Sequence, residues 1–425
     1  MKVLLISPNR ERLPSPVFPL GLAYLSSALK KRGHEVRGLD LCFSADVPRD
    51  IARAVRSFRP GILGLSLRNI DALSMPGRSY LPGYRAVARA LRRCSSAPLV
   101  LGGSGFTIMP AAFMKALGAD YGVAGEGETA FPDLLREIRL GRAEKGGIYA
   151  AGRRLGRLDA VTPDRAPFLG PAHPGADRAY NIQTKRGCPF NCVYCTYPLI
   201  EGRAVRLRSP LSVARELERA AGETGARRFF ITDGVFNYPE AHALEVCREI
   251  SKRNLGITWS CYANPAYMTG RLAEAMARAG CGSVEFGIDS LSDDLLSRLG
   301  KNFSVAQVAR AGALCAREGL PFTHFLFVGA PGDTDRRALR HLQLLEELAP
   351  ASAVIVPGIR IFPGTRLAGL AARELGIKTA GLKPVFYFSR GVRDLAGIAA
   401  AVAARKNWAL HGFQREHPAR VPRRA

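Results

Sequence analysis

Apolar runs and helical patterns take turns along the first 140 residues: "KVLLISP", "LGLAYLSSALKKRG", "EVRGLDL", "DIARAVRSF", "GILGLSL", "YRAVARALRRC", "PLVLGGSG", "AAFMKALG", "YGVAGEGE" and "AFPDLLREIR". The apolar runs are continuous rather than alternating, so each reads as a strand buried on both faces. Five such strands separated by amphipathic helices predict a doubly wound parallel α/β sheet. Ligands of such sheets lie beyond the carboxyl ends of the strands, which here are the loops "SPNRERLPSP", "SLRNIDALSMPGRSYLP", "GGSGFT" and "GEGET". Their glycines allow close backbone approach, and the amides at the following helix starts suit phosphate or carboxylate groups. The G-x-G-x-x-G turn of a dinucleotide site is missing after the first strand.

The rhythm then breaks. "GGIYAAGRRLGRL" predicts a small hairpin, and "DAVTPDRAPFLGPAHPGAD", with four prolines, a linker. From residue 179 the strands resume in "AYNIQTKRGC", "RRFFITDG", "ITWSCYAN", "SVEFGIDS", "PFTHFLFVGAP" and "SAVIVPGIRIF". Six strand-helix units in a row predict a partial barrel or a second doubly wound sheet, and either places its site at the strands' carboxyl ends. "VRDLAGIAAAVAARKNWALHGF" is expected to form one helix or two packed on this second unit, followed by a disordered basic tail. The expected organisation is therefore 1–145, a hairpin and linker at 146–178, 179–365, and a helical extension at 366–425.

At 425 residues the chain exceeds one ordinary core, and 47% hydrophobic residues are ample for two. No run approaches the ~18 apolar residues of a membrane-spanning helix, and "MKVLLISPNRERLPSP" passes from a short apolar stretch into charges without a signal-peptide core. A cytoplasmic location with reduced thiols is expected. The net charge of +25 raises nucleic acid, anionic membrane or anionic substrate as partners. The arginines, however, are spread over the outer helices and no recognition motif accompanies them, so a solvated basic surface outweighs a specific nucleic-acid site.

Nine cysteines include three within eight residues of "QTKRGCPFNCVYCTYP": Cys188, Cys192 and Cys195. A structural zinc site needs four ligands, and no histidine lies between these three. A closed iron-sulfur cubane also takes four thiolates, whereas three thiolates on four irons leave one iron open. Strand periodicity turns Val284, Phe286 and Ile288 of "SVEFGIDS" towards the helices and Glu285, Gly287 and Asp289 towards the lumen. In "TWSCYAN" it turns Ser260 and Tyr262 inward and Cys261 outward, as a packing residue. Arg360 of "GIRIFPGT" is expected to face the lumen and pair with a carboxylate or phosphate, with a surface ion pair as the equal alternative.

The C-x3-C-x2-C spacing, with Tyr194 before the third cysteine, resembles the radical S-adenosylmethionine (SAM) enzymes. The resemblance implies a partial (β/α)6 barrel in which Cys188, Cys192 and Cys195 hold a 4Fe-4S cluster. Its open iron would chelate SAM, and reduction would release a 5'-deoxyadenosyl radical. It further implies that Tyr194 packs near the adenine, that Asp233 of "FFITDGVFNYP" lies close to SAM, and that Asp289 of "GIDS" takes a ribose-contacting place where the family usually has Glu. "VGAPGDT" and "GIRIFPGT" match the family's fifth-strand and sixth-strand segments, and Glu285 and Arg360 join the expected cofactor contacts.

Together with the first domain, the chain resembles the cobalamin-dependent radical SAM subfamily. "PLGLAYLSSALKKRGHEV", "GLSLRNID", "VLGGSGFT" and "GVAGEGET" carry that likeness. It implies cobalamin on the strand ends, contacted by Ser66, Arg68, Asn69, Gly102, Gly103, Ser104, Gly125, Glu126 and Gly127. The D-x-H-x-x-G motif is absent, and the only histidine in the first 145 residues is His34, at a helix-to-strand turn. Cobalt is thus expected to lack a protein histidine ligand, with the loop Arg68 to Leu81 over its lower face. "RNID", "GIRIFPGT" and "PVFYFSRGV" with Trp408 resemble a branch named for lipid biosynthesis. The implied function is C-methylation of an unactivated carbon in a small-molecule or lipid-like substrate bearing an anionic group, with electrons from a donor such as flavodoxin or ferredoxin. Two alternatives stand beside it. One is a radical rearrangement or carbon-carbon bond formation without methyl transfer; the other, a cobalamin-binding sensor, leaves the three cysteines unexplained.

Overall fold

The apolar runs "KVLLIS", "ILGLS", "LVLG" and "YGVA" are buried along most of their length because helices cover both faces of the sheet they form. The computed structural model describes residues 1–12, 15–72, 75, 77–150, 152, 154–170, 180–378 and 381–411. In it β1 (Lys2–Ser7), β2 (Glu35–Asp40), β3 (Ile62–Ser66), β4 (Leu99–Gly102) and β5 (Tyr121–Ala124) are joined in parallel in the order 2-1-3-4-5. The edge strand β2 is exposed or half-buried throughout, and at the carboxyl ends of the inner strands burial relaxes at the last residue of β3, β4 and β5, where Ser66, Gly102 and Ala124 emerge. That edge is where a ligand has access.

The hairpin expected after residue 145 is not formed. β6 (Ile148–Ala150) pairs in parallel with β5 and becomes a sixth strand of the same sheet. The helix Gly127–Arg139 supplies the crossover that a parallel neighbour requires, and Gly146, at φ +82°, turns the chain back into the sheet. Pattern alone could not separate this three-residue edge strand from a hairpin arm.

The second unit begins with β7 (Tyr180–Ile182), followed by β8 (Lys185–Arg186) and β9 (Arg206–Leu207), a short antiparallel pair. Then come β10 (Arg228–Ile231), β11 (Thr258–Ala263), β12 (Cys281–Asp289), β13 (Phe322–Val328) and β14 (Ser352–Pro357). β15 (Ile359–Arg360) and β16 (Phe386–Tyr387) form a second antiparallel pair, and β17 (Trp408–Leu410) ends the described chain. The six expected strands form a parallel wall in the order 7-10-11-12-13-14, with β17 added beyond β14. This seventh strand corrects the purely helical expectation for the C-terminal extension. The helix Leu395–Ala403 stops at Ala404, and "WAL" pairs with Ala353–Ile355 instead of prolonging it. The expected sixth strand is also broken, at Gly358. Its φ of +68° is one that side-chain-bearing residues adopt only with strain, and a Met75 sulfur lies 2.6 Å from where a Cβ would stand, so glycine is favoured here. Part of the expected linker, 171–178, and the basic tail from 412 lie outside the described residues.

One apolar core runs through both units. Phe18 of the first domain lies 5.3 Å from the Tyr180 ring of β7 and 6.4 Å from the Phe168 ring of the linker. Beside them sits a fully buried ionic group: Glu216, on the barrel helix Pro210–Thr224, pairs with Arg165 of the linker at 2.6 Å and with Arg208 at 2.5 Å. Removing one member of such a group strands the others in a medium that solvates charge poorly. Glu216→Gln is therefore expected to cost about 3–5 kcal/mol, measured as a lowered urea midpoint; an unchanged midpoint would show that the triad contributes nothing to stability.

Candidate functional site

The three cysteines hang from the β8–β9 ribbon. Gly187 stands at its mouth with φ +94°, and a Cβ there would fall 2.1 Å from the Ala204 carbonyl oxygen, so the close approach requires glycine. The loop is tied at many points. Gly187 N–H donates to Glu201 Oε2 at 2.9 Å, Cys188 N–H to the Gly202 carbonyl at 3.0 Å, and Cys195 N–H to the Cys192 carbonyl at 3.2 Å. Val193, buried between the cysteines, is clamped by backbone bonds to Leu299 and Leu367. Cys188 is buried, whereas Cys192 and Cys195 are half-buried. Burial pushes the Cys195 thiol up to about 12 and raises that of Cys188. Among the described residues no three Cys, His, Asp or Glu side chains converge on a single point. A four-iron cube asks for no such convergence, because each thiolate binds a different iron.

Asp233, expected close to SAM, is fully buried and turned towards the chain. It accepts from the backbone of Thr184 at 2.8 Å and of Lys185 at 3.3 Å, and from the Thr184 hydroxyl. It fixes the turn between β7 and β8, and thereby the origin of the cysteine loop.

Tyr194 and Asp289 meet each other. The Tyr194 hydroxyl donates to Asp289 Oδ2 at 2.5 Å, and its ring stands edge-on to Phe327 at 5.1 Å. The third member, Lys301, was not foreseen from sequence. Its ammonium lies 2.5 Å from Asp289 Oδ2, 3.1 Å from the Tyr194 oxygen and 2.9 Å from the Gly287 carbonyl. Burial raises the Asp289 pKa and Lys301 works against the rise. Burial also opposes the Lys301 charge, but Asp289 and the nearby Cys192 and Cys195 outweigh it, so its pKa is raised. Lys301 follows a short helix after Asp289, and no periodicity in the sequence points it at the cysteines.

A chamber opens beside this group. Glu285 points into it from β12, its pKa pushed by burial to about 7, with no hydrogen bond or ion pair among the described residues. Tyr262 of β11 and Phe230 of β10 line the same space with ring centres 5.0 Å apart. Arg68 enters from the first domain. It is solvent-accessible, yet desolvation by surrounding protein lowers its pKa, which together describe a wet space walled by both domains.

The first-domain loops are bonded to one another at this face. Ser104 Oγ donates to the Arg68 carbonyl at 3.0 Å, Gly105 N–H to the Leu67 carbonyl at 2.9 Å, and Gly125 N–H to Thr107 Oγ1 at 2.9 Å. Ser66, Arg68, Asn69, Gly102, Gly103, Ser104, Gly125 and Gly127 are thus brought together on three neighbouring loops. The short helix Ser104–Ile108 packs on Tyr197–Ile200, the helix that follows Cys195. His34 lies at the opposite, amino-terminal edge of the sheet, 3.5 Å from the chain's own terminal amine.

Two expected contacts need correction. Glu126 does not face a ligand: Arg206 takes both its oxygens, at 3.0 and 2.5 Å, and Leu155 N–H donates to it at 2.8 Å. Its neighbour Glu128 pairs with Arg186 at 2.5 Å. Arg360 has a carboxylate partner, but an internal one. Its guanidinium lies 2.8–2.9 Å from Asp71 of the first domain, and both residues are buried, so it is neither a substrate anchor nor a surface pair. An acid from one domain and an arginine from the other, far apart in sequence, gave no signal by which either pairing could be found.

Comparison with known proteins matches residues 182–345 to the radical SAM superfamily and residues 7–135 to the B12 binding domain. A tryptophan 2-C-methyltransferase from Streptomyces laurentii is 27% identical over 89% of this chain and 76% of that protein. An uncharacterized methyltransferase of Pyrococcus horikoshii is 28% identical over 86% and 82%. The radical S-adenosylmethionine methyltransferase TsrM of Kitasatospora setae has been solved with cobalamin and a [4Fe-4S] cluster. That structure superposes with a TM-score of 0.80 at 24% identity, covering 96% of this chain and 92% of that one. With tryptophan and a SAM analogue bound, the same protein gives 0.81 and 25%, covering 95% and 88%.

Thiols held protonated by burial must lose their protons to ligate metal. Loading with ferrous iron and sulfide is accordingly expected to increase as pH is raised through neutrality. Iron content after anaerobic incubation at a series of pH values reads this out, and loading independent of pH would contradict it.

Proposed function

Since this chain belongs to the radical SAM superfamily and carries a B12-binding domain ahead of the barrel, we propose that it is a cobalamin-dependent C-methyltransferase acting on an unactivated carbon of a small molecule. The observation that carries the reading is the juxtaposition of the two strand ends: Ser104–Ile108, after β4, lies on Tyr197–Ile200, the helix that follows Cys195, and Arg68 reaches Tyr197 and Tyr262 of the barrel. When bound, the cluster supplies the electron that cleaves SAM to a 5'-deoxyadenosyl radical, and cobalamin carries the methyl group.

The protein's share is to hold, orient and enclose. Cys188, Cys192 and Cys195 fit a site-differentiated cluster because they offer three thiols on one anchored loop. Tyr194, Asp289 and Lys301 form a hydrogen-bonded floor beside it, rigid enough to fix the orientation of whatever binds there. Ser66, Arg68, Asn69, Gly102, Gly103, Ser104, Gly125 and Gly127 provide the surface for a corrin. With His34 at the far edge, the cobalt would receive no histidine from this domain. Electrons would come from an external carrier of the flavodoxin or ferredoxin kind. No described helix is long and apolar enough to cross a membrane.

The test is anaerobic reconstitution with iron, sulfide and a corrinoid, followed by analysis of the products from SAM in the presence of candidate substrates. 5'-Deoxyadenosine together with S-adenosylhomocysteine is expected; 5'-deoxyadenosine alone would replace methyl transfer by a radical rearrangement. Cys192→Ala should lose the brown cluster and both products, and a cluster-loaded variant would overturn the ligand assignment.

A further inference from the structure

Three consecutive residues beyond β12, Leu299, Gly300 and Lys301, lie one after another against the cysteine loop. The Leu299 carbonyl accepts from Val193 N–H at 2.9 Å, a Cβ on Gly300 would stand 2.3 Å from the Asn191 carbonyl oxygen, and the Lys301 ammonium lies 3.1 Å from the Tyr194 hydroxyl. Tyr194 stands between Cys192 and Cys195 in the chain, so the ammonium is one hydrogen bond away from the turn that carries two of the thiols. Its two other contacts, Asp289 at 2.5 Å and the Gly287 carbonyl at 2.9 Å, hold it there. Two further cations bond the loop: Arg203 donates to the Phe190 carbonyl at 3.3 Å and to Asn191 Oδ1 at 2.8 Å, and Arg366 to the Asn191 carbonyl at 3.4 Å. Both are exposed, where water and salt screen them. The Lys301 side chain is only 6% exposed, and it pulls the Cys195 thiol down against the rise that burial causes.

We propose that Lys301 is the counter-cation of the cysteine-bound cluster, acting on it through charge rather than as a ligand and making it easier to reduce. Three thiolates make the site anionic before an electron arrives, and the electron makes it more so. A buried positive charge beside them favours the more negative state. One electron passes from the external carrier, which is oxidised as the cluster is reduced, and no bond is made or broken in that transfer. Asp289 and Tyr194 orient the ammonium, and the acid keeps it charged despite its burial. The shorter acid of "GIDS" thus has a second task, that of seating a cation beside the cysteines. The inference rests on the reading of Cys188, Cys192 and Cys195 as cluster ligands.

The experiment uses the full-length protein loaded anaerobically with iron and sulfide, without SAM, and poised with redox mediators at the wild-type midpoint. Electron paramagnetic resonance then reads the ratio of reduced to oxidised cluster. Lys301→Met is expected to lower that ratio at least about tenfold, equivalent to roughly 59 mV for one electron, with iron content and visible absorbance unchanged. Lys301→Arg keeps the charge and should stay within about threefold of wild type. The double variant Asp289→Asn with Lys301→Met strands no charge and should remain low; a return to the wild-type ratio would show that only the stranded acid mattered, and would overturn the proposal. So would a Met variant reduced as readily as wild type, or an Arg variant that falls with it. If the neutral variants load no iron, the Arg variant decides: wild-type content and ratio support the charge, and an Arg variant short of either overturns it. Failure of the cluster reading is distinguishable, since the wild-type protein would then take up no four-iron cluster at all.

Discussion

Arg186 and Arg206 face each other across a ribbon of two residues per strand, and a ribbon that short has little stability of its own. What holds it is the other domain. Glu126, at the end of the loop after β5, and Glu128, in the first turn of the helix Gly127–Arg139, engage both arginines in a buried group that only a correct docking can complete. Burying four ionised side chains is tolerable when each is paired and hydrogen-bonded, and expensive otherwise. The cysteine loop therefore takes its position from the first domain as much as from the barrel, and the facing of the two strand edges is set by charge geometry as well as by apolar contact.

The floor of the site obeys a second constraint. Asp289 adopts φ +66°, a conformation that Asp and Asn tolerate better than most residues with a side chain, and the ladder to β13 slips at the same place. The shorter acid in "GIDS" is thus suited to a strand end that leaves the regular β conformation. It also lets Tyr194 and Lys301 close onto one oxygen, so the departure from the usual Glu is accommodated by local backbone geometry.

The fold was largely legible because unbroken apolar runs and amphipathic helices are strong local signals. The five leading strands and the six of the barrel wall were all readable in this way, as was the inward aim of Glu285 and the outward aim of Cys261, which is buried against the helices. What escaped were features decided by distant partners. β6 and β17, each three residues long, exist because a neighbouring edge accepts them. The partners of Glu126 and Arg360 stand in the other domain, and Lys301 reaches the cysteines only after the chain has turned around a helix. Short elements and cross-domain charges carry no period, and a single sequence offers nothing else to find them by.

Neither of the two large sheets closes on itself, so among the described residues they present four strand edges. Three of them, β6, β7 and β17, are three residues long. The fourth, β2, is longer, but the linker turn Ala166–Phe168 lies over it and Glu35 and Arg37 punctuate it with charge. An unpaired edge is a template for another chain, and its danger grows with the length of free ladder. With almost no continuous ladder on offer, two open parallel sheets can share one chain and resist edge-to-edge aggregation without the closure a full barrel would provide.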